Sequence, residues 1–232
     1  MATASQINNH DALITRLVTQ FGKGISPLLT QLYDTLASEE NIDRLTVQRL
    51  FVTLRTYVQT QLNQLDQVLL DNDSMNSEVL GDITIDTSRL KNEAVAAMNA
   101  ALDEEQNNIM GVIATSALVG AIGAGTIRAL RGSKNAIINR LKIAYGSNIR
   151  SVDGAYTLLK GLATGQNIKY RYVGGVIAES RPFCVKHNGT VMTEKEIRRI
   201  WNTQTWQGKK PGDPFVVRGG YNCRHMFVPV KN

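Results

Sequence analysis

The chain has 232 residues, 43% of them hydrophobic and only five of them proline, a composition that excludes an intrinsically disordered or collagen-like polypeptide. Its two cysteines exclude a disulfide framework, and the polar start Met1-Ala-Thr-Ala-Ser-Gln6 has no apolar signal core, so folding in a reducing cytoplasm is expected. The net charge of +6 conceals an asymmetry: residues 1–127 hold 7 basic and 15 acidic side chains, a net of −8, while residues 128–232 hold 19 and 5, a net of +14.

Residues 11–37 carry a stripe of Leu13, Leu17, Phe21, Ile25, Leu28, Leu32 and Leu36 at spacings of three and four, which predicts one face of a helix. Gly22, Gly24 and Pro27 interrupt it, and Ser26-Pro27 reads as an N-cap with proline at the first helical position. Two helices, or one kinked helix, are expected with the break near Gly22–Ser26. Residues 43–70 repeat the pattern with Val47, Phe51, Leu54, Val58, Leu62 and Leu69. That stripe needs a partner, either within the chain as a helical hairpin or in another subunit as a coiled coil. A short alternation at Ile83-Thr84-Ile85 precedes a third helix, expected from Thr87 through Glu105 with Leu90, Val95, Met98 and Leu102 inside.

Asn107–Ile127 has no charged residue over 21 positions. At about 1.5 Å per residue a helix of that length reaches across a hydrocarbon core of about 30 Å. Its glycines suit close helix packing in lipid. The expectation at rest is a buried core helix. Residues 128–163 read as two short basic helices divided near Gly146, and Lys134, Arg140, Lys142 and Arg150 are candidates for contact with a polyanion.

From Ile168 the texture changes. Lys-Tyr-Arg-Tyr-Val alternates as a half-exposed strand does. Thr193-Glu-Lys-Glu196 is a capping box opening a helix through Trp201. Residues 203–220 read as a polar loop, and His225–Val230 as a last strand. The expected fold class is α+β, with a mainly helical N-terminal half and a small C-terminal α+β domain. The expected organisation is an acidic helical region over 1–127, a basic helical connector over 128–167 and the α+β domain over 168–232.

Ser180–Val230 holds both cysteines, both tryptophans and two of the three histidines. Cys184-x-x-His187 and Cys223-x-His225 together supply four ligands of the kind zinc prefers. The alternative is two buried thiols packed as neighbours, with the histidines hydrogen-bonded or exposed. Zinc is the one cofactor left open; no other is expected. A thiol nucleophile would need an acid to orient its histidine, and acids are scarce here: Glu179, Glu194, Glu196 and Asp213. A metal-independent ribonuclease-like site could draw on Arg181, His187, Arg224 and His225 as acid–base groups and phosphate clamps.

The run Tyr172-Val-Gly-Gly-Val, then Glu179-Ser-Arg-Pro-Phe-Cys184, then His187-Asn-Gly189, then Gly220-Tyr-Asn-Cys-Arg-His225 resembles the C-terminal domain of MuF-like phage minor head, or head morphogenesis, proteins. Arg181, Cys184, Gly189, Asn222, Cys223 and Arg224 match the family's pattern over about a quarter of the chain. Many members close with His-Pro-x-Cys-Arg-Cys, where this chain has Gly-Tyr-Asn-Cys-Arg-His. The resemblance implies a non-enzymatic virion component, made in the host cytoplasm. It would sit in oligomeric or low-copy form near the portal or head–tail connector. Packaged DNA would be contacted through non-specific phosphate interactions, and Asn107–Ile127 could meet the host membrane during ejection. The competing reading is a ribonuclease-like toxin or effector on a helical delivery region.

Overall fold

The computed structural model describes residues 4–38, 44–65, 88–119, 124–163, 168–220 and 223–230. Ile83–Ile85, Leu69 and Asn222 lie outside the described residues, as does the backbone of 120–123. Four long helices come first: α1 Ala4–Ser38, α2 Arg44–Asn63, α3 Ser88–Val119 and α4 Ala124–Ala163. There follow β1 Lys169–Val173, α5 Pro182–His187, β2 Val191–Thr193, α6 Glu194–Thr203, α7 Pro214–Val217 and β3 Met226–Val230. The class is α+β, with a mainly helical N-terminal half and a small antiparallel sheet at the C-terminal end.

The chain forms two compact units that do not follow it in consecutive blocks. One comprises Arg16–Gln64 and Lys91–Tyr145; the other comprises Met1–Thr15, Leu65–Leu90 and Gly146–Asn232. The first, the helical unit, buries Phe21, Ile25, Leu29, Leu32 and Leu36 of α1 and Val47, Phe51, Leu54, Val58 and Leu62 of α2. The α2 stripe is thus covered within the chain, as the hairpin alternative expects. From α3 come Met98, Leu102 and Ile109, and from α4 Ile137, Leu141 and Tyr145. One carboxylate shares this core. Glu105 is buried and accepts hydrogen bonds from the Tyr33 hydroxyl and from Ser133 Oγ, the latter at 2.7 Å.

Three sequence expectations are answered here. Of the two alternatives for residues 11–37, one helix is found rather than two, and its glycines make room for neighbours rather than ending it. A Cβ at Gly24 would lie 2.0 Å from the Tyr57 hydroxyl, and one at Gly22 would lie 3.0 Å from Lys142 Cδ. Tyr57 Oη donates to the Phe21 carbonyl at 3.2 Å across the same gap. Pro27 lies inside the helix. The two basic helices expected over 128–163 are one, with Gly146 buried mid-helix between buried Tyr145 and Asn148. A glycine there costs about 1 kcal/mol relative to alanine, which burial on either side offsets. Lastly, of the stretch 107–127 the side chains of 116–127 lie outside the described residues; over 107–115 only Ile109 is buried, and Asn107, Asn108, Gly111, Ala114 and Thr115 are exposed. Freedom from charge did not mean burial, since amides, glycine and threonine tolerate water. Among the described residues no helix is long and apolar enough to cross a membrane.

In the second unit β1 is the central strand of a sheet ordered β2-β1-β3, antiparallel on both sides, with Tyr170 opposite Met192 and Tyr172 opposite Phe227. Period-two alternation turns Tyr170 and Tyr172 to the buried face. They join Phe183, Met192, Ile197, Trp201, Phe215 and Phe227 in one core. Thr193 caps α6 as expected: its Oγ1 accepts from Glu196 N at 3.3 Å and Glu196 Oε2 accepts from Thr193 N at 2.8 Å. The stretch expected as a loop contains α7. Asp213 caps it by accepting from Phe215 N at 2.9 Å and also pairs with Arg198 at 2.7 Å, tying α7 to α6. Within the same unit α4 meets α7 closely, since a Cβ on Gly154 would lie 2.0 Å from the Phe215 carbonyl oxygen.

Candidate functional site: a buried cysteine–histidine centre

Three segments converge behind the sheet. Tyr172 comes from β1, Cys184 from α5, and Cys223 and His225 from the approach to β3. Pro182 stands at the first position of α5, where its missing N–H costs nothing. The helix is pinned to β1 by the turn after it: Gly189, at φ +80, donates its N–H to the Tyr172 carbonyl, and Tyr172 N donates to the Thr190 carbonyl at 3.0 Å. A left-handed residue is required there, which explains a glycine at that place. On the other side α7 ends in Arg218, held at φ +50, and Gly219 and Gly220 follow.

Cys184 Sγ and Cys223 Sγ are 3.7 Å apart, and the Tyr172 hydroxyl lies 3.4 Å from the first and 3.6 Å from the second. Both thiols are buried. His225 is buried and stacks on the Tyr172 ring at 5.0 Å between centroids. Two glycines make these approaches possible. A Cβ on Gly219 would lie 2.6 Å and 2.8 Å from the two sulfurs, and a Cβ on Gly174 would lie 2.6 Å from both Cα and Cγ of His225. The Gly219 carbonyl accepts from Trp206 Nε1 at 3.0 Å.

The electrostatics follow from proximity. A hydrogen bond from Cys184 holds the Cys223 thiol well below its ordinary value. His225 and the Arg218 charge add to this, and burial opposes it. Cys184 moves the opposite way, raised by its bond to Cys223 and by burial. The pair therefore holds one proton readily and gives up the other. Burial, then the neighbouring sulfurs, raises the Tyr172 phenol well above its usual range, so it stays a donor. Arg218 is fully enclosed, and burial lowers it to about 10. Its Nη2 reaches the Ser147 carbonyl at 3.5 Å, while Nε and Nη1 have no hydrogen-bond partner among the described residues. A buried guanidinium favours negative charge around it, and its charge lowers the Cys223 thiol.

Of the four candidate metal ligands, the structure brings together Cys184, Cys223 and His225, whose donor atoms all lie within 4.8 Å of one another. His187 is not among them. It stands at the end of α5, packs on Phe183 and meets Gln204 Oε1 through Nε2 at 3.3 Å. Burial lowers its pKa. The acid–base set considered for a ribonuclease is likewise divided. His225 is enclosed, His187 faces Gln204 and Arg224 is exposed. Arg181 lies over Gly208, with its Nε 3.4 Å from a Cβ placed there, and its charge acts on Cys184.

Sequence reasoning missed Tyr172 and Arg218 as members of the centre. The signal for Arg218 was its place before Gly219-Gly220, since a positive-φ corner followed by glycines is where a chain folds back on itself. The polyanion candidates are engaged with neighbours of their own units. Lys134 donates to Thr30 Oγ1 at 3.2 Å, Arg140 pairs with Glu104 at 2.5 Å, the Lys142 stem packs on Gly22, and Arg150 reaches the Gly146 carbonyl at 3.3 Å.

No family model, no curated protein and no solved structure matches this chain.

Proposed function

We propose that the chain is a structural component of a phage virion, a minor head or internal protein of the MuF-like kind, without catalytic activity. The observation that carries the reading is the set of spaced residues Arg181, Cys184, Gly189 and Cys223, with Arg224 beside the last. Residues far apart in sequence are spent on closing one small unit: Gly189 pins α5 to β1, and the sulfurs meet under Gly219. A spaced signature used in this way serves to build a fold. Exposed Lys169, Lys186, Lys195, Arg199, Lys210 and Arg224 give the C-terminal part a basic surface. That surface suits loose, sequence-independent contact with packaged DNA. Portal or connector proteins are the expected protein partners, the virion is the expected location, and Asn107–Ile127 retains a role in membrane passage during ejection as part of this proposal.

Mass spectrometry of purified particles of the phage that encodes the chain tests the reading. Peptides at low copy number per particle are expected, and absence from the particles contradicts it. Incubating the folded chain with RNA separates the competing toxin reading: the proposal expects no cleavage, and cleavage abolished by His225→Ala would favour the toxin.

A further inference from the structure

We infer that Cys184, Cys223 and His225 form a zinc-binding centre inside the C-terminal unit. The first support is geometric. Two sulfurs bound to one tetrahedral zinc at about 2.3 Å each lie about 3.8 Å apart, and the two sulfurs here stand at 3.7 Å. The third donor is in reach, since one donor atom from each residue lies within 4.8 Å of the others.

The second support is an orphan. His225 is 2% exposed, and its Nε2 is buried with no hydrogen-bond partner among the described residues. A buried ring nitrogen without a partner costs free energy; a bond to a cation removes that cost. The third support is the surround. Metal-bound thiolates keep part of their negative charge and are held in place by donors around them. The Tyr172 hydroxyl lies 3.4 Å from one sulfur and 3.6 Å from the other, placed to donate to a sulfur of a bound dithiolate.

Two soft sulfurs and an imidazole select zinc over magnesium or calcium. Binding is not a redox step. The proton that the cysteine pair still holds is lost to solvent, the two thiolates and the imidazole each donate a lone pair, and the two negative charges balance the ion. Three protein donors leave one tetrahedral position to a non-protein ligand, because His187 is directed to Gln204.

The inference does not depend on the virion reading, and its test is separate. The full chain is produced in zinc-supplemented medium, purified without chelator and analysed for metal. About one zinc per chain is expected. Exchange with cobalt should give a thiolate-to-cobalt charge-transfer band. His225→Ala and Cys223→Ser should each lose that band, whereas His187→Ala should keep it. His225→Cys, which supplies another soft donor, should restore it. An intact chain that holds no zinc and gives no cobalt band overturns the inference whatever the variants do. So does loss of the band in His187→Ala with retention in His225→Ala.

Discussion

In the helical unit the buried residues of α2, Val47, Phe51, Leu54, Val58 and Leu62, recur every three or four positions and are all apolar. In the C-terminal unit the buried set includes Cys184, His187, Arg218, Cys223 and His225 among aromatic rings. The first core is specified by a period, and many apolar sequences would satisfy it. The second is specified by particular atoms at particular places, with glycines cut to fit them. The lesson is that tolerance to substitution should differ sharply between the two, and both tryptophans, Trp201 and Trp206, report on the second alone.

The largest effect is expected at Gly154. Alanine there would place a methyl 2.0 Å from a backbone carbonyl oxygen, a contact that no side-chain rotation relieves. Gly154→Ala should cost about 3 kcal/mol, read from denaturant melts followed by tryptophan fluorescence. Leu54→Met in α2, a volume-conserving change, should cost under about 1.5 kcal/mol by far-ultraviolet circular dichroism. Equal costs would erase the contrast. Gly219→Ala comes next, at about 1–3 kcal/mol, because the methyl meets both sulfurs.

Alkali should weaken the helical unit. Burial, with Glu105 as hydrogen-bond partner, raises the Tyr33 phenol well above its ordinary value. Burial, then Tyr57, pushes Tyr145 up to about 12. Both are raised in the folded state, so their contribution is intact below the unfolded value of about 10 and is lost as pH rises above it. Thermal midpoints should therefore fall steadily from about pH 10 upward, and Tyr33→Phe should make that fall shallower. A midpoint indifferent to pH across that window would contradict the burial of these phenols. Smaller again is the cap of α6: Thr193→Ala should cost about 1 kcal/mol.

The two regions were also unequally legible. Period-based reading found the α2 stripe and the strand around Tyr170 and Tyr172, because alternation and helical spacing follow directly from backbone geometry. It failed at Gly146, which lies buried inside a helix, and it left two helices open at Gly22 and Gly24, where glycine serves a close approach and spacing alone resembles a break. It found Cys184, Cys223 and His225 as a set by residue type. It misassigned His187, since a tally of ligand types says nothing about the direction in which a short helix points them. Arg218 was missed for the opposite reason: an arginine is usually on the surface, and the chain's reversal at Gly219-Gly220 is what encloses it.

If the sulfur–imidazole centre holds the C-terminal unit together, two adjacent residues should behave differently. Cys223 is 2% exposed in that centre, while its neighbour Arg224 is exposed. Tryptophan-monitored unfolding of Cys223→Ala and Arg224→Ala, compared with the unaltered chain, is the direct measurement. A loss of about 2 kcal/mol or more is expected for Cys223→Ala, with Arg224→Ala within about 0.5 kcal/mol of the parent. Equal losses at the two positions, or a Cys223→Ala chain as stable as the parent, would contradict this expectation.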